Sequence, residues 1–109
     1  GLVLQVFDSS HRSPLHIAAE QGQLTMVHFL MTVGLNLDSR TYDGQEPIHS
    51  AVTGDRSDVV LALLTYRADL ETKTNDGETP LYLASKYGHF DTLTVLLHCK
   101  ARVDVGDVD

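Results

Sequence analysis

A chain of 109 residues with 42% apolar content suits one domain of ordinary size, and with 6% aromatics and no Trp its core must come from Leu, Val, Ala and Met. Fifteen acids against eight bases leave a formal charge of −7, which argues against a nucleic-acid binder and against docking on anionic membrane surfaces. Cys99 alone makes neither an internal disulfide nor a thiolate metal site, and no apolar run approaches the roughly 18 residues of a membrane span.

In chain order, the first clear element starts at Ser13-Pro14, an N-cap followed by a residue that needs no N–H in the first helical turn. This helix runs about eight residues and stops at Gly22, where a left-handed residue is wanted. A second helix is expected over 24–33, with Met26, Val27, Leu30 and Met31 at helical spacing. The segment 34–46 holds the alternating Leu35-Asn36-Leu37 and the turn Asp43-Gly44, and reads as a two-stranded turn. Pro47 opens the next helix behind Glu46, a weaker cap than Ser or Thr. That helix ends at Gly54-Asp55, where Asp replaces the expected glycine and the turn must be adjusted or strained. A helix over 57–66 carries Val59, Val60, Leu63 and Leu64, and 67–79 repeats the turn pattern with Ala68-Asp69-Leu70 and Asp76-Gly77. Thr79-Pro80 starts the last pair. Its first helix stops at Gly88, and its second, over 90–99, carries Leu93, Leu96 and Leu97, with Thr92 at the first apolar position.

The three prolines, Pro14, Pro47 and Pro80, are spaced 33 residues apart. Four residues after each stands alanine (Ala18, Ala51, Ala84), and sixteen after each stands leucine (Leu30, Leu63, Leu96). Helices of eight to ten residues are marginal alone, and one pair cannot cover its own apolar faces, so the units must stack.

Aligned on the prolines, the chain gives SPLHIAA at 13–19, EPIHSAV at 46–52 and TPLYLAS at 79–85. Gly88-His89, Arg67-Ala68-Asp69-Leu70 and Lys100-Ala101-Arg102-Val103 follow in register. With the 33-residue period, the chain resembles the ankyrin-repeat family over essentially its whole length. The resemblance implies an all-α solenoid of stacked helix–turn–helix pairs with β-turn or hairpin tips. Three repeats fall at 8–40, 41–73 and 74–106, with the tail of a preceding repeat at about 1–7 and the start of another at 107–109. The first tip departs from the pattern, with Ser10-His11 in place of Asp-Gly, and the family's common Asn between repeats is Asp38, Glu71 and Asp104. The chain starts at Gly1, and the outer helix pairs keep Leu15, Ile17 and Val27 at one end and Leu83, Leu93 and Val95 at the other. A slice of a longer array is therefore expected; the alternative is a divergent short protein whose ends pair.

Six histidines raise the question of a metal. Equivalent positions in stacked units lie roughly 10 Å apart, too far for ligands about 2 Å from one zinc. The family resemblance instead gives His16, His49 and His89 structural hydrogen bonds, and Tyr82, at the motif histidine of the third repeat, a structural role. His11, His28 and His98 are expected to be solvated or half-buried. Cys99, near a helix end beside Lys100, reads as an ordinary cysteine, and Ser9-Ser10-His11 adjacency is not triad geometry. No phosphate loop or nucleophile elbow occurs. No enzyme, cofactor or metal is expected.

What remains is a protein-binding surface. In the family, contacts gather beside the turns and late in the first helices, on the concave side. The matching positions are Ser9, Ser10, Arg12, Glu20 and Gln21; Tyr42, Asp43, Gln45 and Thr53; and Asn75, Asp76, Glu78, Lys86 and Tyr87. Tyr42 and Tyr87 are either interface anchors or rings packed on the neighbouring turn; Tyr66 belongs to packing or the outer surface. The charge is −3 in the middle repeat and −1 in each of the others, which fits a solvated surface or a partner offering a neutral or basic segment. Direct membrane insertion is not expected, and single-cysteine usage leans intracellular. The competing reading is a structural spacer in a larger channel, scaffold or secreted effector, with no partner-specific site of its own.

Overall fold

The computed structural model describes residues 6–104, with side chains through Ala101. Six helices follow in order: α1 Pro14–Glu20, α2 Leu24–Thr32, α3 Pro47–Thr53, α4 Ser57–Thr65, α5 Pro80–Tyr87 and α6 Phe90–Asp104. The first helix of each pair begins at its proline. Ser13 Oγ accepts the N–H of His16 at 3.3 Å, and Thr79 Oγ1 that of Tyr82 at 3.1 Å. At Glu46 the start is closed by a capping box, in which the Glu46 N–H bonds His49 Nδ1 at 2.9 Å.

The tight turn within each pair needs one left-handed residue. Gly22 (φ 71°) and Gly88 (φ 68°) provide it, and in the middle unit Asp55 takes the same conformation at φ 58°. The turn is therefore kept rather than remodelled, with the steric cost falling on a residue type that tolerates it. The Asp55 carboxylate accepts the hydroxyl of the fully buried Thr92 at 2.8 Å. Just before it, a Cβ on Gly54 would run into the backbone carbonyl oxygen of Glu20, so glycine there permits the close approach of the first two units.

The helices form two layers, α1, α3 and α5 inside and α2, α4 and α6 outside, each helix packed on its sequence partner and on its neighbours in the layer. Ala18, Ala51 and Ala84 lie where the inner helices meet, and all three are buried. Leu30, Leu63 and Leu96 fill the space between layers with Leu15, Ile48 and Leu83. Small residues in the contact and leucines behind it explain how a core forms with so few aromatics.

Two expectations are corrected. The segments between units hold no strand among the described residues. Asn36 and Asp69 accept the N–H groups of Asp38 and Glu71 with their own side-chain oxygens, at 2.8 and 2.9 Å, folding the alternating stretches into Asx turns. The second correction is α6, which runs to Asp104 instead of ending near 99. The first two units leave their second helix through left-handed residues, Gly34 (φ 95°) and Arg67 (φ 78°), after which Leu35 and Ala68 bond back to Leu30 and Leu63. The aligned Lys100 stays helical within Lys-Ala-Arg, three strong helix formers. Cys99 thus lies inside a helix, half-buried, not at its end.

Candidate functional site: the turn tips and first-helix face

The tips repeat in the 33-residue register. The N–H groups of Asp8, Thr41 and Thr74 bond the carbonyls of Arg12, Gln45 and Glu78 at 3.1, 3.0 and 3.0 Å. The same three residues close each tip with a side-chain oxygen: Asp8 accepts from the N–H groups of Ser10 and Arg12, Thr41 from Gln45, and Thr74 from Asp76 and Glu78. The Arg12 N–H and guanidinium hold the Asp8 carboxyl below its usual range. The first tip, despite lacking Asp-Gly, is the same turn, with His11 at φ 64° where the others carry Gly44 (φ 81°) and Gly77 (φ 79°).

Adjacent tips are tied to one another. Tyr42 N–H bonds the Ser10 carbonyl at 3.2 Å, and Asn75 N–H bonds the Asp43 carbonyl at 3.0 Å. Asn75 Nδ2 adds a bond to the Tyr42 carbonyl at 2.8 Å. Gly44 lies under this last contact, where an added Cβ would come within 2.7 Å of the Asn75 nitrogen. The rings of Phe7, His11 and Tyr42 stack along the ridge, with centroids 3.9 and 4.9 Å apart. Tyr42 is nonetheless 70% exposed, so it both packs on its neighbour and presents an aromatic surface.

Beneath the tips, two buried histidines bind one unit to the next. His16 Nε2 lies 2.8 Å from the Gln45 carbonyl, and His49 Nε2 lies 3.2 Å from the carbonyls of both Thr72 and Glu78. Their Nδ1 atoms face the backbone N–H groups of Ser13 and Glu46, at 3.1 and 2.9 Å. The network assigns each ring the neutral tautomer with its proton on Nε2. Burial lowers the pKa of both rings. Tyr82 does not follow them: the residue is 54% exposed, because no following turn lies over it among the described residues. His89 joins the next tie, with Nε2 3.0 Å from the Thr53 carbonyl.

Arg40 is a further clip that residue type alone did not single out. Its guanidinium donates to the carbonyls of Gly44 and Lys73, both at 2.8 Å, and to the Thr72 hydroxyl at 3.0 Å. It also lies 3.1 Å from Glu46 Oε2. Glu46 is buried, and its Oε1 has no hydrogen-bond partner among the described residues. Burial raises this carboxyl's pKa, against the opposing pull of Thr72 and Arg40. The signal was present in the pairing of an acid at a Ser/Thr cap position with an arginine six residues earlier.

None of the fourteen surface positions taken from the sequence is buried. Ser9, Ser10, Tyr42, Asp43, Asn75 and Asp76 lie on the tip ridge, and Gln21, Lys86 and Tyr87 stand exposed at or beyond the ends of the first helices. Two ion pairs link tip and helix. Arg12 reaches Glu20 at 3.1 Å in the first unit, and Lys86 reaches Glu78 at 3.1 Å in the third, with the polarity reversed. The same two positions in the middle unit are Gln45 and Thr53, both uncharged. Lys86 Nζ also lies 5.5 Å from the centroid of the Tyr87 ring.

No cluster of His, Cys, Asp and Glu able to hold a metal occurs among the described residues, and no described helix is long and apolar enough to cross a membrane. The family described as ankyrin repeats (3 copies) matches residues 15–107. No curated protein matches the chain.

Proposed function

The chain belongs to the ankyrin-repeat family, and from that premise we propose that it is a non-catalytic module binding a partner protein across its turn tips and first-helix face. Ankyrin repeats are generally protein–protein interaction modules. The observation that carries the reading is Tyr42, a 70% exposed aromatic on a tip ridge whose backbone is held at fixed spacing by bonds from unit to unit. A rigid platform with an exposed tyrosine loses little entropy on binding. Around it, Arg12 with Glu20 and Glu78 with Lys86 neutralise one another, so this face accepts a neutral or basic segment of protein. An intracellular setting completes the proposal, since the free Cys99 suits a reducing compartment.

A selection of peptides against the folded module, followed by mapping of amide shifts, tests this. Shifts gathered on residues 8–12, 41–45 and 74–78 and on α1, α3 and α5 support it. Shifts confined to α2, α4 and α6 overturn it.

A second reading, a spacer within a larger assembly, is favoured by a different observation. Much of the same face is already engaged internally, through the Asn75 clip and the two ion pairs. Under that reading, alanine at Tyr42 and Tyr87 changes no binding property of the protein that carries the module.

A further inference from the structure

The middle tip has a described tip on each side of it and still leaves Tyr42 70% exposed. His11 stacks on the Tyr42 ring, so with that exposure the opposite face of the ring is bare. No described residue other than His11 makes a ring contact or hydrogen bond with this side chain. The carboxylates beside it are also unengaged. Asp43 follows Tyr42 directly, about 3.8 Å away at Cα. Asp76 is its counterpart on the next tip, drawn up by the bond from the Asn75 N–H to the Asp43 carbonyl at 3.0 Å. Both are exposed, and neither side chain has an ion pair or hydrogen bond among the described residues.

The first unit shows what these two carboxylates lack. Its tip acid, Asp8, is taken by the chain's own Arg12, with Nε 2.8 Å from Oδ2. The residues aligned with Arg12 are Gln45 and Glu78, so the second and third tips receive no arginine in this way. Arg40, two residues before Tyr42, is turned instead to the Gly44 and Lys73 carbonyls and to Glu46. We propose that the middle tip takes an arginine side chain of the partner protein, laid flat on the open face of Tyr42 and forked onto the Asp43 carboxylate, with Asp76 as a second acceptor. The proposal rests on the tip ridge being a protein-binding face and names the residue that this face selects. A guanidinium is planar, so it stacks on a ring, and its parallel N–H groups match a carboxylate. It is also less strongly hydrated than an ammonium, so lysine, with neither plane nor fork, is the poorer ligand. The Tyr42 backbone is held by the Ser10 carbonyl on one side and Asn75 Nδ2 on the other, so the platform is ordered before the ligand arrives. The chain's charge of −7 favours the approach of a cation.

Three acetylated and amidated peptides, Gly-Gly-Xaa-Gly-Gly with Arg, Lys or Gln at the centre, are titrated into the full chain and followed by amide shifts. The Arg peptide is expected to move the amides of Tyr42, Asp43 and Asp76 and to bind in the millimolar range, about threefold or more tighter than the Lys peptide. The Gln peptide moves none of them. Y42F keeps most of this binding, because a phenyl face also holds a cation, whereas Y42L and D43N each weaken it by about threefold to fivefold. Both positions are exposed, so the variants keep the helical circular dichroism of the parent. Equal binding of the Arg and Lys peptides overturns the proposal. So does an Arg peptide that moves no tip amide, or one that binds Y42L and D43N as it binds the parent. The peptide selection described above judges the module itself. Selected peptides that map to the tips but carry no arginine overturn the arginine site alone, whereas shifts confined to α2, α4 and α6 overturn both.

Discussion

Asn75 reaches back one whole period to the Tyr42 carbonyl, placing its Nδ2 at 2.8 Å and so clipping the third tip to the second. The bond lies at the surface, where water competes, so Asn75→Ala costs about 0.5–1 kcal/mol of stability. Gly44→Ala costs more, about 1–2 kcal/mol, because it adds the left-handed penalty to a collision with the Asn75 backbone. Urea midpoints at constant slope measure both. Equal losses would mean that the approach of the two tips is not tight.

The pair of Arg40 and Glu46 should be strongly non-additive. Arg40→Met leaves a carboxylate buried without its cation, at a cost of about 2–4 kcal/mol, discounted from a fully buried pair because the arginine is partly exposed. Glu46→Gln costs less, since a neutral amide tolerates burial. In the double variant the part of the Arg40→Met cost that comes from the unpaired carboxylate disappears, while the part from the lost bonds to Gly44, Lys73 and Thr72 remains, and a double-mutant cycle on unfolding free energies separates the two.

Acid weakens the fold through its histidines. His16 and His49 have pKa values below 6.5 in the folded state, so below that pH the unfolded chain binds protons that the folded chain refuses. Their contribution is complete above about 6.5 and is lost as pH falls toward their lowered folded values. Glu46 acts with the opposite sign: its raised pKa makes the fold lose stability as pH rises from about 4.5 through its folded value. The urea midpoint is therefore expected to fall between pH 7.5 and pH 5.5. His49→Gln starts less stable and shows a shallower fall.

Tyr42→Ala separates binding from folding. Loss of the stack on His11 costs at most about 1 kcal/mol of stability, whereas binding of a selected peptide weakens by about 1–2 kcal/mol. Tyr87→Ala is expected to match it in binding with less effect on the fold. Calorimetric titration beside thermal melts distinguishes the two effects.

The period, the paired helices and the buried Ala and Leu positions were legible in the sequence because they follow from local spacing: a proline fixes each start, and apolar residues recur at helical intervals. The first tip was not legible from Ser10-His11, since its shape comes from Asp8, whose carboxylate does what the Thr41 and Thr74 hydroxyls do in the other tips. The stretches around Asn36 and Asp69 alternate like strands, yet each side chain captures the backbone two residues on, a competition that hydrophobic pattern cannot see. Tyr82 failed for a non-local reason. Histidine at that position is buried only when the next tip closes over it, and the alignment of motifs carries no record of what lies above. On the tip and first-helix face, exposure follows from the repeat register, while the pairing of Arg12 with Glu20 and of Glu78 with Lys86 spans eight residues and a turn, beyond any helical spacing rule.

Those two pairs have a consequence for association kinetics. Positive at the tip and negative on the helix in the first unit, then negative at the tip and positive on the helix in the third, they form a quadrupole. A quadrupolar field decays faster with distance than that of a net charge, and beyond a Debye length of about 8 Å little of it survives in physiological salt. The approach of a partner is then governed by the charge of the whole chain, and the four alternating groups discriminate only at contact. Two ligands of equal net charge but different charge order should arrive at the same rate and leave at different ones.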